Sequence, residues 1–160
     1  MKRGWVVGVV LGVTLVALTA GFIAWQLQPR QPVEATPVDF ETFQADLPAI
    51  RIRGTAHYRG MIKQDVGASL LGGADTYWVY PLFAVGDTEG REVKILVRSP
   101  IAPPKRVEYE FVELEGWLDA PRSHTVPLRT EDLLGTANYY FSPEVMVLEP
   151  WRQENFDPAE

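Results

Sequence analysis

The first feature that restricts how this chain can fold is an uncharged segment near its N terminus. The 22 residues from position 4 to position 25 include no charged side chain. As an α-helix they would extend roughly 33 Å, which is enough to cross the hydrocarbon core of a bilayer. Trp5 and Trp25 stand at the two ends, where aromatic side chains favour the membrane interface. The segment predicts a short cytoplasmic stub and a transmembrane helix over residues 1–27.

A cleaved signal peptide is the alternative interpretation of this segment. The apolar region of a signal peptide usually holds about 7–15 residues and ends in a small-x-small cleavage site. The present run is longer, and the best cleavage candidate, Ala20, has the bulky Leu18 two positions before it. We therefore interpret the segment as an uncleaved anchor.

The charges on either side of the anchor predict its orientation. Lys2 and Arg3 precede it, whereas Arg30 is followed by Glu34 and Asp39. Positively charged flanks favour the cytoplasmic side of a membrane. We expect the N terminus in the cytoplasm of a bacterium, the helix in the inner membrane and the C-terminal domain in the periplasm.

Three glycines recur at four-residue spacing inside the anchor, namely Gly4, Gly8 and Gly12. Lipid tails are as apolar as the side chains, so membrane helices associate through close van der Waals packing, which small residues allow. The glycine face therefore predicts contact with a helix of an integral membrane protein. Glycine also occurs in membrane helices without a packing role, and this alternative stays open.

Residues 28–48 predict a tether followed by a short amphipathic helix. Prolines favour an extended chain in the first half. In the second half, Thr36 is placed to cap a helix whose apolar side chains share one face: Phe40, Phe43 and Leu47. We expect this face to close the open end of the following domain, or alternatively to lie in the membrane interface.

Residues 49–150 alternate apolar and polar side chains with the period of two that is typical of β-strands. The segments AIRIRGTAHYRG, TYWVYPLFAV, REVKILVRSP, VEYEFVELEGWL, ANYYF and EVMVLEP predict five or six antiparallel strands. TYWVYPLFAV and REVKILVRSP flank the turn GDTEG and form the clearest hairpin. This pattern favours a small all-β barrel or sandwich after the transmembrane helix, with an OB-like barrel as the leading fold.

Four details of the β domain carry further expectations. In VEYEFVELEGWL the apolar positions change from odd to even numbers, which predicts a β-bulge near Phe111 and Val112. TYWVYPLFAV is apolar on both faces, which is typical of a strand that is covered on both sides or that contacts something else. His57 falls on the polar face of the first strand, where we expect a solvated side chain. Residues 151–160 predict a polar, frayed tail.

Charge separates into two blocks along the β domain. Residues 49–106 contain nine Lys or Arg and five Asp or Glu, and residues 107–160 contain three and twelve, so the net charges are +4 and −9. Strands of opposite charge can pair across a sheet. Alternatively, the blocks create a dipolar surface for a charged partner or lipid headgroups. Our candidate partner surface combines basic and aromatic side chains: Arg51, Arg53, Arg59, Trp78 and Tyr80.

The sequence contains no pattern that is typical of a catalytic or metal site. There is no cysteine, and His57 and His124 lack the spacing of a zinc motif. The carboxylates are spaced as solvent faces of strands, although a converging pair that hydrolyses a glycoside stays open as an alternative. The net charge of −6 argues against nucleic acid. We expect no enzyme activity, no cofactor and no nucleic-acid partner.

The runs IRIRGTAHYRG, YWVYPLFAVGDTEGREVKILVRSPIAPP and VELEGWLDAP occur in an order that resembles the Surfeit-type assembly factors of cytochrome oxidase. In that family an anchor helix ends near a Trp-Gln pair, here Trp25 and Gln26, and leads to a β-rich outer domain. The similarity covers about half of the chain, and the second transmembrane helix of the family has no counterpart in this sequence. The resemblance implies a small β domain that is tethered beside a larger membrane complex.

These observations predict a non-enzymatic, single-pass accessory subunit or assembly factor of a membrane protein complex. Electron-transfer complexes of respiration or photosynthesis are the candidate complexes. The partners would be integral membrane subunits and the lipid bilayer. The alternative function is that of a membrane-tethered OB-like module that binds a small ligand, a lipid or haem.

Overall fold

The computed structural model describes residues 30–66, 75–120 and 139–159. Within these ranges we find no helix with the length and apolar character that crossing a bilayer requires. The predicted transmembrane segment lies outside the described residues, together with its candidate packing and interface residues: Gly4, Gly8, Gly12, Trp5 and Trp25.

Seven β-strands account for the regular structure of the described residues. In chain order they are β1 (Thr36–Val38), β2 (Ala49–His57), β3 (Ile62–Val66), β4 (Asp75–Phe83), β5 (Glu92–Ser99), β6 (Tyr109–Asp119) and β7 (Tyr140–Asn155). They form one sheet in the order β1-β2-β6-β7-β5-β4-β3, and an additional pairing joins β2 to β4. This additional pairing closes β2, β6, β7, β5 and β4 into a five-stranded barrel. The predicted all-β barrel is confirmed.

Most neighbouring strands run antiparallel, but two pairs are parallel. β5 and β7 pair in parallel within the barrel, and β1 adds in parallel to β2. The expectation of an antiparallel sheet throughout is therefore wrong. The predicted hairpin is confirmed, because β4 and β5 pair antiparallel from Trp78 opposite Ser99 to Leu82 opposite Ile95.

The barrel is filled with apolar side chains from all five of its strands. The interior cluster, which we call the barrel core, comprises Ile50, Ile52, Ala56, Tyr58, Tyr80, Leu82, Ile95, Val97, Val112, Leu114, Leu118 and Leu148. Full burial of one leucine or isoleucine side chain stabilises the fold by about 1.5–3 kcal/mol. The core therefore supplies the main driving force for closing the barrel.

A second apolar cluster involves the other face of β4. Val79 and Phe83 belong to it, whereas Tyr80 and Leu82 of the same strand belong to the barrel core. The remaining buried members come from β5 and from β7 or the residue before it: Val93, Leu96, Tyr139 and Val147. The prediction that this strand is covered on both sides is confirmed.

The amphipathic helix predicted within residues 28–48 is wrong. Thr36–Val38 forms strand β1, in which Thr36 lies opposite Ile50, and a turn follows at Asp39. The backbone groups of β2 offer hydrogen-bond partners that the local sequence does not show, and they draw the segment into the sheet. The predicted apolar face still packs against the barrel core through Phe40, Phe43 and Leu47.

The bulge predicted near Phe111 and Val112 is also wrong. β6 pairs with β2 without interruption from His57 opposite Tyr109 to Ala49 opposite Trp117. Phe111 points outward, and its ring lies 6.2 Å from that of Phe156, between ring centroids. An outward aromatic contact therefore explains the apparent change of phase.

The polar tail and the two short strands before it form one long strand instead. β7 extends through Asn155, which lies opposite Val112 of β6. The first half of the expected tail is thus part of the barrel wall, because the neighbouring strand β6 supplies its hydrogen-bond partners. The pairing of β7 is irregular at two places. Its register with β5 shifts between Val93 and Ile95, and its register with β6 shifts between Glu115 and Gly116.

Candidate functional site

The candidate site is built on the outward-facing side chains of β2. Odd-numbered residues of this strand point away from the barrel core, because side chains alternate between the two faces of a strand. Arg51 and Arg53 are exposed, whereas Thr55 and His57 are buried. The first half of the strand presents two guanidinium groups to solvent, and the second half is covered.

Two glutamates of β6 neutralise the arginines of β2. Arg51 lies opposite Glu115, and Arg53 lies opposite Glu113. The Nε atoms of Arg51 and Arg53 are 2.6 and 2.5 Å from the carboxylate oxygens of their partners. Arg152 of β7 adds a third cation, with its Nη1 atom 3.5 Å from Glu115. The expected pairing of opposite charges across the sheet is confirmed.

A groove of about 850 Å³ lies beside these ion pairs, and we call it the β2 groove. Its charged lining residues are Arg51, Arg53, Asp39, Glu41 and Glu113. Residues 37–41, which contain the end of β1 and the turn after it, line one side. Ala84 and Val85, which follow β4, also line the groove; β1 and β4 both pair with the edge of β2 that faces away from β6. Charged side chains thus lie among partly exposed apolar ones.

The turn that carries Ala84 and Val85 is fixed to β2 by Thr55. The Oγ1 atom of Thr55 donates a hydrogen bond to the carbonyl oxygen of Ala84 at 2.9 Å. The Oγ1 atom of Thr55 also accepts a hydrogen bond from the backbone N–H of Gly86, at 2.9 Å. The hydroxyl of the fully buried Thr55 therefore ties this turn to β2, while the carbonyl of Ala84 also accepts a hydrogen bond from the N–H of Asp87 at 3.0 Å.

His57 makes a second attachment to the same turn. Its Nε2 atom lies 2.8 Å from the carbonyl oxygen of Asp87, and its Nδ1 atom lies 3.3 Å from the hydroxyl of Tyr139. A carbonyl oxygen only accepts, so Nε2 carries the hydrogen and Nδ1 accepts one from Tyr139. The ring packs on Phe83, with 4.4 Å between centroids. The prediction of a solvated His57 is therefore wrong.

Burial lowers the pKa of His57 below its ordinary value, because the surrounding side chains solvate the charged imidazolium less well than water does. The carbonyl group and the negative charge of Asp87 oppose this shift in pKa. Burial likewise raises the pKa of the neighbouring Tyr139. At neutral pH both groups are uncharged, which suits a structural contact inside the fold.

The five residues of the predicted partner surface do not form one surface. Only Arg51 and Arg53 lie together in the β2 groove. Arg59 is exposed two residues beyond the end of β2, and Trp78 is half-buried in β4 opposite Lys63 and Ser99. Tyr80 is 1 % exposed and its ring packs against Tyr58 in the barrel core. Tyr80 is therefore excluded from a surface role, because β4 turns this side chain inward.

The sequence did not indicate that Glu113 and Glu115 face the arginines of β2, or that Val85 lines the groove. Glu113 and Glu115 alternate in the sequence, so their shared face was visible, but their position opposite Arg53 and Arg51 requires the knowledge that β2 and β6 are neighbours. Val85 was predicted as the last residue of the strand TYWVYPLFAV, which gave no sign that it would line a groove. The packing of Arg53 on Phe156, 5.0 Å from its guanidinium carbon to the ring centroid, was equally hidden.

Charged and apolar side chains meet in the β2 groove. Its guanidinium and carboxylate groups can make charge-assisted hydrogen bonds, and Arg51 and Arg53 expose 47% and 63% of their side chains to solvent. The described part of the chain holds no group of three or more His, Asp or Glu side chains placed to bind a metal ion. Comparisons of the chain with protein-family models, curated proteins and solved structures give no match.

Proposed function

We propose that this chain is a non-enzymatic, single-pass accessory subunit or assembly factor of a membrane protein complex. In this proposal the N-terminal helix anchors it in the bacterial inner membrane, and the barrel binds a periplasmic segment of a partner subunit. The resemblance to Surfeit-type assembly factors points to an electron-transfer complex. The observation that carries the proposal is the β2 groove, in which ion-paired arginines lie between apolar side chains.

The finer fold assignment supports a binding role. We number the five barrel strands 1 to 5 in chain order, namely β2, β4, β5, β6 and β7. Neighbouring strands around the barrel then follow the order 1-2-3-5-4-1, and strands 3 and 5 are parallel. We infer that this is an OB-like barrel. OB-like barrels use the outer surface of a closed sheet and its loops to hold extended polymers. Fold alone does not define function, and the groove supplies the specific argument.

The composition of the β2 groove suits a polypeptide partner. Protein interfaces place apolar contacts at their centre and use charges to select the partner and its register. Val85 is 44 % exposed and lies next to the ion pair of Arg53 and Glu113. A partner segment that covers Val85 would gain apolar burial and would meet both charges of the pair.

The decisive experiment compares two substitutions of exposed apolar residues in the full-length protein. Val85→Asp places a charge in the groove, whereas Ile101→Asp places one at a site that is 57 % exposed and does not line the groove. Mild detergent extracts are separated on native gels and the chain is detected by antibody. We expect Val85→Asp to shift the chain from a large complex to the free form, and Ile101→Asp to leave the complex intact. Equal migration of both variants with the complex would refute the groove as the interface.

A charge swap separates recognition from folding. Arg53→Glu combined with Glu113→Arg keeps an ion pair between β2 and β6 but exchanges the two signs in the groove. Such a variant should melt like the wild type and lose the partner. If it retains the partner, the charges do not select it and the proposal must depend on apolar contact alone.

The alternative function, binding of a small ligand, lipid or haem, is favoured by the size of the groove. Its volume falls in the range of about 300–1,000 Å³ that is typical of small-molecule sites. A thermal-shift screen of the full-length protein with haemin and with phospholipid tests it, since a ligand that binds only the folded state raises the melting temperature. A ligand-dependent rise that Val85→Asp abolishes would favour this function over the first.

A further inference from the structure

We propose that one edge of the barrel, formed by Trp117 and Trp151, lies in the headgroup region of the lipid bilayer. We call it the tryptophan edge. The inference rests on the membrane anchor of the proposed function. It adds an orientation of the barrel that an anchor and a tether do not supply by themselves.

Trp117 of β6 and Trp151 of β7 contact each other on the outside of the barrel. Their ring centroids are 5.0 Å apart and their planes are inclined by 67°, an edge-to-face arrangement. Both residues are half-buried, so each indole keeps part of its surface in contact with the surroundings. Each ring thus fixes the orientation of the other.

A β-bulge in β7 places Trp151 on the outer face. Glu115 pairs with Arg152, but the next residue, Gly116, pairs with Pro150, so Trp151 is an extra residue with no partner position on β6. Two consecutive residues at a bulge can point to the same side of a sheet. Trp151 and Arg152 both do so here, since one contacts Trp117 and the other contacts Glu115.

The chain enters the barrel beside the tryptophan edge. Thr36, the first residue of β1, lies opposite Ile50, and the neighbouring Ala49 lies opposite Trp117. The backbone of Thr36 is therefore about two strand spacings, or roughly 10 Å, from that of Trp117. Trp117 thus lies near the point where the N-terminal segment joins the barrel.

The length of the tether keeps this part of the barrel near the membrane. The predicted transmembrane helix ends at Leu27, and nine residues lead from there to Thr36. Even fully extended they reach at most about 30 Å. The backbone of Trp117 lies about 10 Å from that attachment. An indole combines a large apolar ring with one N–H donor, which makes tryptophan the side chain best suited to the headgroup region.

Quenching of tryptophan fluorescence by brominated lipid tests the inference on the full-length protein. The protein is reconstituted into phosphatidylcholine vesicles in which the acyl chains carry bromine near their headgroup end. A variant with Trp5, Trp25 and Trp78 changed to Phe retains only the tryptophan edge. Bromine quenches by contact, so we expect this variant to lose at least about twofold more fluorescence than a control that retains only Trp78.

A third variant separates the inference from the proposed function. It carries Trp78→Phe, Trp117→Phe and Trp151→Phe and so reports only on Trp5 and Trp25 in the predicted anchor. If its fluorescence is not quenched and the protein does not float with the vesicles, the anchor itself is absent. If the anchor is quenched and the tryptophan edge is quenched no more than Trp78, the anchor stands and the orientation proposed here is overturned.

Each variant is first checked for a cooperative thermal transition like that of the wild type. Tyrosine replaces phenylalanine at any position where the first substitution prevents folding, since tyrosine also keeps an aromatic ring. The wild-type protein provides a measurement without substitution. Hydrogen exchange of the peptides that contain Trp117 and Trp151 should slow on transfer of the protein from detergent micelles to vesicles, and unchanged exchange would count against the proposal.

Discussion

Gly54 of β2 and Phe83 of β4 meet at the point where the barrel closes. A Cβ atom on Gly54 would lie 2.6 Å from the carbonyl oxygen of Phe83 and 2.9 Å from the side chain of Leu82. The next residue, Thr55, lies opposite Phe83 in the short pairing that joins the two strands. Glycine is therefore required here by the close approach of two backbones, and closure of the barrel depends on it.

Substitution of Gly54 by alanine should weaken the fold. The added methyl group has to displace a backbone carbonyl, so we expect the free energy of unfolding to fall by about 1–3 kcal/mol. Urea unfolding of the full-length protein in mild detergent, followed by circular dichroism, measures this change. Gly86→Ala is the matched control, because a Cβ there meets no atom within 4 Å and only the backbone φ of 84° opposes it. A Gly54→Ala variant that is no less stable than Gly86→Ala would contradict the closure argument.

Removal of the Thr55 hydroxyl should destabilise the turn that borders the β2 groove. Thr55→Val keeps the shape of the side chain but leaves the carbonyl of Ala84 and the N–H of Gly86 without this partner. The carbonyl of Ala84 keeps the hydrogen bond from the N–H of Asp87 and the exposed Gly86 can turn to water, so we expect a loss near the lower end of the about 1–3 kcal/mol that an unpaired buried polar group costs. Thr55→Ser keeps the hydroxyl and should lose less, as measured by the urea midpoint. The argument fails if Val is tolerated better than Ser.

The outer face of β2 shows which part of the site could be predicted from the sequence. Alternation correctly indicated that Arg51, Arg53, Thr55 and His57 share one face, because the period of a strand is a local property. It could not show that the turn after β4 covers the second half of this face. That contact joins residues about 30 positions apart, and the turn sequence GDTEG resembles any exposed turn.

The stability of the domain should fall as the pH drops below neutrality, because of His57. The unfolded chain keeps the ordinary pKa of 6.5 for His57, and burial lowers this pKa in the folded protein. Below pH 6.5 the unfolded state binds a proton that the folded state does not, and stability is lost until the folded pKa is reached. The slope from one such group is at most about 1.4 kcal/mol per pH unit.

Urea unfolding between pH 7.5 and pH 5.5 measures this loss, and two variants assign it. His57→Gln removes the titrating group and should flatten the pH dependence, although the variant is less stable at pH 7.5 because the imidazole contacts are gone. His124→Gln removes the other histidine of the chain and should leave the dependence unchanged. A dependence that persists in His57→Gln and disappears in His124→Gln would show that the buried ring is not its source.

The fold was predicted where local patterns decide it and missed where distant strands decide it. The barrel and the β4–β5 hairpin follow from alternation and from a glycine-containing turn. The helix expected at Thr36 failed because the edge of β2 recruits that segment as a parallel strand. The frayed tail at Trp151 failed for the same reason, since a polar sequence remains a strand when β6 supplies its hydrogen bonds.

The ion pairs beside the β2 groove should contribute a small, salt-dependent part of the stability. Glu115 is the central group, because Arg51 and Arg152 both contact it and its side chain is only 13 % exposed. Glu115→Gln should lower the free energy of unfolding by about 1 kcal/mol in low salt, since the exposed arginines limit the gain from each pair. The loss should shrink in molar salt, which screens the exposed charges.

Asp65→Asn, which breaks the exposed pair with Lys63 on β3, is the control and should have a smaller effect. A loss for Glu115→Gln that is equal at both salt concentrations would assign the role of Glu115 to packing against its neighbours and would remove the electrostatic argument for the groove.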